Sequence, residues 1–298
     1  MKVELEDAYE RLLREPGVVF LLGEIDTGKS TAGIELVRGA VAAGVPSAYV
    51  DCDVGQSTIG PPTTVGLKLC TGLAEVNRDT LRDADELSFV GSISPRGHLL
   101  PLVTGAGKLT WRAREAGCKL IVVDTTGYVS GLYGQILKYS KLDLTRPDFV
   151  LAFRRGGELE PLLGIAERFT PAQVLEVEAS AHAVPRSVEE RMAFREQQFA
   201  AYFAAGVSRF RVRPTVFMPS LPPEFDLSLL DSLVVGMEDG KGRCVGIGVL
   251  EHDPEDDVLR MISRAGEGVR GLRLGSVRIE TNGRSRGPVD IRQLFGSE

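Results

Sequence analysis

The stretch Gly23-Glu-Ile-Asp-Thr-Gly-Lys-Ser30 decides the fold of this 298-residue chain. It follows the apolar run Val18-Val-Phe-Leu-Leu22 and leads into the helix-like Thr31-Ala-Gly-Ile-Glu-Leu-Val-Arg38. This is G-x-x-x-x-G-K-[ST] between a buried strand and a helix N-terminus, the context a phosphate-binding loop requires. Glycines there let successive N–H groups turn inward around phosphate oxygens, and the helix dipole adds to the attraction. Gly23, Glu24, Asp26, Thr27, Gly28, Lys29, Ser30 and Thr31 are therefore the expected nucleotide-binding set. Lys29 reaches the β/γ-phosphates and the Ser30 hydroxyl ligates Mg²⁺.

Working outward, apolar strands alternate with helices. Strands are expected at Ser47–Asp51, Leu87–Val90, Lys119–Asp124, Phe149–Phe153 and Val174–Val177. Helices are expected at Leu5–Arg14, from the loop to about Ala43, at Leu99–Ala116, Leu132–Lys141, Leu159–Arg168 and Ser187–Phe203. Pro101, Gly105 and Gly107 count against the first half of the helix beginning at Leu99, and residues 54–85 read as a loop or excursion. The pattern predicts an α/β fold of P-loop NTPase type, a parallel sheet covered by helices on both faces. Beyond Gly206 short β-like runs predict a small, mainly β C-terminal domain. The expected division is 1–205 and 206–298, with a helical lid at about 185–203.

Composition narrows the function classes. A net charge of −6 argues against a surface that binds nucleic acid everywhere, although eight arginines fall between Arg260 and Arg292. Cys52, Cys70, Cys118 and Cys244 show no metal-ligand spacing, so reduced thiols are expected and zinc is not. No 18-residue apolar stretch and no signal-peptide pattern is present, which points to a cytoplasmic protein without a membrane partner.

Carboxylates stand at two strand ends. Asp51-Cys-Asp53-Val-Gly-Gln56 follows the second strand, and alternation sends Asp51 and Asp53 to the same side. Either carboxylate near Mg²⁺ suits a base for an attacking hydroxyl, and either equally suits a loop cap. Asp124 ends the Lys119–Asp124 strand and matches the metal-side Asp of phosphate-loop enzymes. Ser140-Lys-Leu-Asp143 mimics a guanine-reading motif but lies within a helix pattern, which excludes a GTPase reading. Ser92-Ile-Ser94-Pro-Arg96-Gly-His98 gathers hydroxyls, a guanidinium and an imidazole suited to phosphodiester oxygens, though a lone His is as often structural. Arg191 and Arg195 share one helix face, with Arg186 just before it. They either pair with Glu189, Glu190 and Glu196 or form a lid that neutralises a transferring phosphoryl group.

Together these residues resemble the polynucleotide 5′-hydroxyl kinases related to the eukaryotic cleavage and polyadenylation factor kinase subunit and to nucleolar pre-rRNA kinases. The resemblance rests on the phosphate loop, Asp53-Val-Gly-Gln56, Pro61-Pro-Thr-Thr-Val-Gly66, Ser94-Pro95 with His98, Thr126-Gly-Tyr128-x-x-Gly131, and Arg186-Ser187 with Arg191, Arg195 and Tyr202-Phe203. It spans about residues 17–205, and the β-rich C-terminus resembles that of short prokaryotic members. It implies ATP and Mg²⁺ as cofactors and 5′-OH ends of RNA as acceptors, with DNA as a second acceptor. Asp53 is the implied general base, with Lys29, Arg186, Arg191 and Arg195 beside it. Ser30, Asp53 and Asp124 form the implied metal side. Tyr128, where many members carry Trp, would stack on the terminal base. Gln56, Thr63, Thr64, Ser94, Arg96 and His98 complete the expected substrate contacts. The alternative is an ATP-binding RNA-processing scaffold without turnover.

Overall fold

A computed structural model of the chain describes residues 1–180, 185–264 and 266–296. The first part contains α1 (Leu5–Arg14), β1 (Val18–Gly23), α2 (Lys29–Ala42), β2 (Ser47–Cys52), β3 (Thr64–Leu69), α3 (Arg78–Leu81) and β4 (Glu86–Phe89). It continues through α4 (Leu99–Glu115), β5 (Leu120–Thr125), α5 (Gly131–Thr145), β6 (Phe149–Arg154), α6 (Glu160–Phe169), β7 (Gln173–Glu178) and α7 (Val188–Ala204). Then follow β8 (Ser208–Val212), β9 (Phe217–Met218), β10 (Leu233–Glu238), β11 (Cys244–Asp253), β12 (Val258–Ser263), β13 (Gly271–Ile279), β14 (Ser285–Pro288) and α8 (Ile291–Leu294).

The central strands run parallel in the order β2-β5-β1-β6-β7. Every residue of β1, β2 and β5 is buried, because helices cover both faces. Leu12 of α1 and Ile34 and Leu36 of α2 pack on one face with Leu21, Val122 and Leu151. Leu102 and Leu109 of α4, Leu137 of α5 and Leu162 of α6 fill the other with Phe20, Val50 and Val123. Each such side chain, fully buried, contributes about 1.5–3 kcal/mol relative to exposure.

Two expectations needed correction. Residues 54–85 are not all loop: β3 pairs antiparallel with β2 and with β4. Gly66 within β3 is required by close approach, since a Cβ there would lie 2.5 Å from the Ile59 carbonyl oxygen. α4 is helical from Leu99 onward, with Pro101 in its first turn, where a missing N–H is tolerated. Gly105 lets that helix approach Ser88 and Val65 closely.

The antiparallel C-terminal strands continue the same sheet in the order β14-β13-β10-β11-β4. The junction is the pairing of Cys244 with Leu87. It is reinforced by the Ser276 amide, which donates to the Gly91 carbonyl at 2.6 Å. Phe199 and Phe203 of α7 are buried here with Phe89, Val234 and Ile247. The C-terminal half of α7 is thus anchored on this sheet, while its N-terminal half, more exposed, reaches over the phosphate loop.

Candidate active site

The carboxyl ends of β1, β2 and β5 open into a cleft of about 790 Å³ that holds all of Glu24–Thr31. Gly28, at φ +92°, turns the chain into α2, so the helix amides face the cleft. The Thr27 hydroxyl donates to the Glu24 carbonyl at 3.0 Å. Lys29 is buried, and its Nζ donates to the Glu24 carbonyl and to Thr27 Oγ1. Burial lowers the Lys29 pKa, while Asp124, Asp53 and Asp26 oppose that shift. A desolvated ammonium that donates, among the described residues, to neutral oxygens alone is a strong donor for phosphate, because an anionic oxygen bonds it more strongly.

The three carboxylates have different surroundings. Asp124 is buried at the end of β5; its Oδ2 accepts the Tyr49 hydroxyl at 2.9 Å, and Oδ1 has no hydrogen-bond partner among the described residues. Burial raises its pKa, offset by the Ser30 hydroxyl and by Lys29. An orphaned carboxylate oxygen beside a hydroxyl is a donor set that fits a hard divalent cation such as Mg²⁺. Asp51 lies beside Asp124 in register but is enclosed. It accepts the amides of Asp53 at 2.9 Å, of Thr58 and of Ile59 at 3.1 Å, and so holds the 53–59 loop. Burial, followed by the charge of Asp124, pushes its pKa up to about 8. Asp53 sits just past the strand end on the cleft wall. Its Oδ1 accepts the Gly55 and Gln56 amides at 3.1 and 3.0 Å, and its Oδ2 has no partner among the described residues.

α7 begins with a capping box: Ser187 Oγ accepts the Glu190 amide, and the Glu190 side chain accepts the Ser187 amide. Arg191 lies 3.4 Å from Asp26 Oδ2, which also accepts the Arg186 amide at 3.0 Å. The Gln56 side chain accepts from Arg186 Nη1 at 3.2 Å and donates to the Arg191 carbonyl at 3.1 Å. Arg186 also stacks over Phe194. Arg195 lines the cleft with no ion pair among the described residues; burial and neighbouring Arg191 lower its pKa. Glu190 and Glu196 are engaged elsewhere, Glu196 by the Ser285 amide, and no ion pair joins the three arginines to Glu189, Glu190 or Glu196.

The expected substrate contacts divide. Ser94 and Tyr128 line the cleft. Gln56 lines it too, but its amide is committed to Arg186 and to the Arg191 carbonyl at the start of α7. Thr63 and Thr64 are fully buried, not at the cleft wall. Thr63, at φ +74°, carries the Val90 and Gly91 amides on its carbonyl, and the Thr64 hydroxyl donates to the Pro61 carbonyl at 2.7 Å. Strand pairing turned both inward. Arg96 and His98 lie outside the lining, His98 at the N-cap of α4 with Nδ1 3.1 Å from the Arg96 carbonyl.

Other participants were not foreseen. Arg155, after β6, bonds the Asp26 carbonyl, and Arg78 joins the cleft wall. Gly127 packs so tightly on the phosphate loop that a Cβ would lie 2.3 Å from the Ile25 nitrogen. Lys138 of α5 is fully buried and donates to Thr125 Oγ1 at 2.7 Å and to the Thr126 carbonyl, fixing the strand end beside Tyr128. Its signal was a lysine on the same helix face as Gly134 and Leu137, where a surface lysine has no place.

No helix among the described residues is long and apolar enough to cross a membrane. The four cysteines are free and buried.

A family model described as the mRNA cleavage and polyadenylation factor CLP1 P-loop matches residues 23–205. A polyribonucleotide 5′-hydroxyl-kinase of Pyrococcus furiosus is 27% identical, over 95% of this chain and 93% of its own. One of Methanocaldococcus jannaschii is also 27% identical, over 96% and 94%. A CLP1 homolog of Drosophila mojavensis is 28% identical, over 85% of this chain and 59% of its own. Among solved structures, a chain of the wild-type Clp1p–Pcf11p complex superposes with a TM-score of 0.72 over 92% of this chain and 78% of that chain. Its sequence identity is 10%, so that likeness speaks to the fold alone.

Proposed function

This chain belongs to the mRNA cleavage and polyadenylation factor CLP1 P-loop family, and from that premise we propose that it is an ATP-dependent polynucleotide 5′-hydroxyl kinase. It transfers the γ-phosphoryl group of ATP to the 5′-OH end of RNA, with DNA as a second acceptor. Residues 1–205 form the kinase domain and 206–298 a β-rich partner domain. The near full-length similarity to the archaeal 5′-hydroxyl-kinases supports the activity. The single structural observation that carries it is the arrangement of Asp53, Lys29 and Arg195 around one cleft.

Lys29 and the α2 amides bind the phosphates. Asp53, with an oxygen free of internal hydrogen bonds, takes the proton from the acceptor hydroxyl. Arg191 and Arg195 neutralise charge that develops on the transferring group, where a desolvated guanidinium acts most strongly. Ser30 and Asp124 would hold Mg²⁺, which supplies charge neutralisation on the phosphate oxygens. Tyr128 offers an aromatic face to the terminal base, and Ser94 faces the acceptor strand.

The test is incubation with γ-labelled ATP, Mg²⁺ and short RNAs that end in 5′-OH or 5′-phosphate, beside a 5′-OH DNA. Label confined to 5′-OH ends is expected. ATP binding without label on any acceptor would instead favour an ATP-dependent scaffold.

A further inference from the structure

The lid helix borders a second cavity. On α7, residues 191, 195, 198 and 202 recur at helical spacing and share one face. Arg191 and Arg195 line the phosphate cleft, whereas Gln198 and Tyr202 line a separate cavity of about 390 Å³. From Arg195 to Tyr202 the helix advances about 10 Å. The loop that begins at Asp53 also links the two spaces, since Gly60 and Pro61 form part of the second wall. Arg82 and Arg264 also line it. The Arg264 guanidinium lies 5.1 Å over the Tyr202 ring and has no ion pair among the described residues. Arg82 pairs with Asp79 at 3.3 Å, an exposed contact worth little, and Asp83 is the cavity's only acidic side chain among the described residues.

We propose that this cavity receives the acceptor strand beyond its terminal nucleotide, with Arg264 and Arg82 contacting backbone phosphates two or more nucleotides from the reacting end. The inference rests on the kinase reading and deepens it by making the protein selective for polynucleotides over mononucleotides. The volume suits one nucleotide. An arginine braced on an aromatic ring presents its free face and edge to a base or phosphate without losing its packing. The Tyr202 ring keeps its orientation because its hydroxyl accepts the Ile247 amide at 3.1 Å.

The experiment uses the full chain and 5′-OH acceptors of increasing length: nucleoside 3′-monophosphate, dinucleotide and hexanucleotide RNA. Wild type is compared with Arg264→Ala and Arg82→Ala/Arg264→Ala, both surface changes. Wild-type kcat/KM should rise with length, and the double variant should lose at least fivefold of that rise while labelling the mononucleotide at the wild-type rate. Binding of a fluorescent hexanucleotide is followed against salt in parallel. The log–log slope should become shallower by about 0.7 for each phosphate contact removed. A length effect that survives the double substitution, a uniform fall for every acceptor, or no length effect in wild type overturns the proposal. If wild type labels no acceptor, the kinase reading fails, and the binding series alone decides whether the cavity holds RNA: an unchanged slope rejects it.

Discussion

Asp26 of the phosphate loop holds Arg191 of α7, with Oδ2 3.4 Å from the guanidinium and the Arg186 amide 3.0 Å from the same oxygen. One carboxylate oxygen thus ties both the start of α7 and the chain just before it to the phosphate loop. Arg191→Ala should lower kcat by at least a hundredfold and change nucleotide affinity less than fivefold, because an arginine of this kind acts mainly in the transition state. Single-turnover rates and equilibrium binding of a non-hydrolysable ATP analogue separate the two. An unchanged kcat would demote the contact to a surface ion pair.

Asp53→Asn should abolish transfer, at least a hundredfold in kcat, and leave nucleotide affinity within a few-fold. The substitution keeps the Oδ1 acceptor for the Gly55 and Gln56 amides, so the loop survives it. Near-native turnover in this variant would show that the base is another group.

Gly127→Ala should weaken ATP binding at least tenfold. The added carbon meets the Ile25 backbone, which cannot swing aside as a side chain can, and overpacking of this kind costs about 1–3 kcal/mol. Calorimetric titration of the variant with an ATP analogue measures it. Wild-type affinity would mean that the loop moves freely.

Asp51 predicts a pH dependence of stability. Its folded pKa of about 8 lies above the ordinary 3.8, so between those values the folded chain keeps a proton that the unfolded chain releases. Stability from this group is therefore greatest at low pH and is lost as pH rises toward about 8. Asp51→Asn adds a constant offset, through altered bonds to the 53–59 loop, and removes the slope. The difference in Tm between wild type and variant, followed from about pH 5 to 9, should drift downward and then level off. Parallel curves would mean Asp51 is ionised throughout.

The parallel sheet and the phosphate loop were legible because their signals are local: continuous apolar runs, and a glycine pattern between strand and helix. The Asp53 loop and the Arg191/Arg195 face of α7 were legible for the same reason. β3 was not, since Gly66 and its Pro/Thr-rich approach mimic a loop, and only the approach of Ile59 explains them. Thr63 and Thr64 resemble substrate hydroxyls in sequence, yet the pairing of Thr64 with Phe89 and the amides bonded to the Thr63 carbonyl place them inside. The separate fates of Asp51 and Asp53 depend on where β2 stops, a boundary that alternation alone does not set. Lys138 was legible only as a lysine on the Gly134 and Leu137 face, because burial of a lysine runs against the usual partition, and the strand-end oxygens it donates to give it its place.

One hydrogen-bonded sheet runs from the nucleotide cleft to β14, joined at Leu87 and Cys244. The two halves cannot swing apart like jaws without tearing strand pairs. Opening and closing during a catalytic cycle must fall to the first turns of α7 and the loops around them. For the acceptor strand proposed above, the spacing between its two ends is then set as on a ruler, by the sheet that carries both cavities.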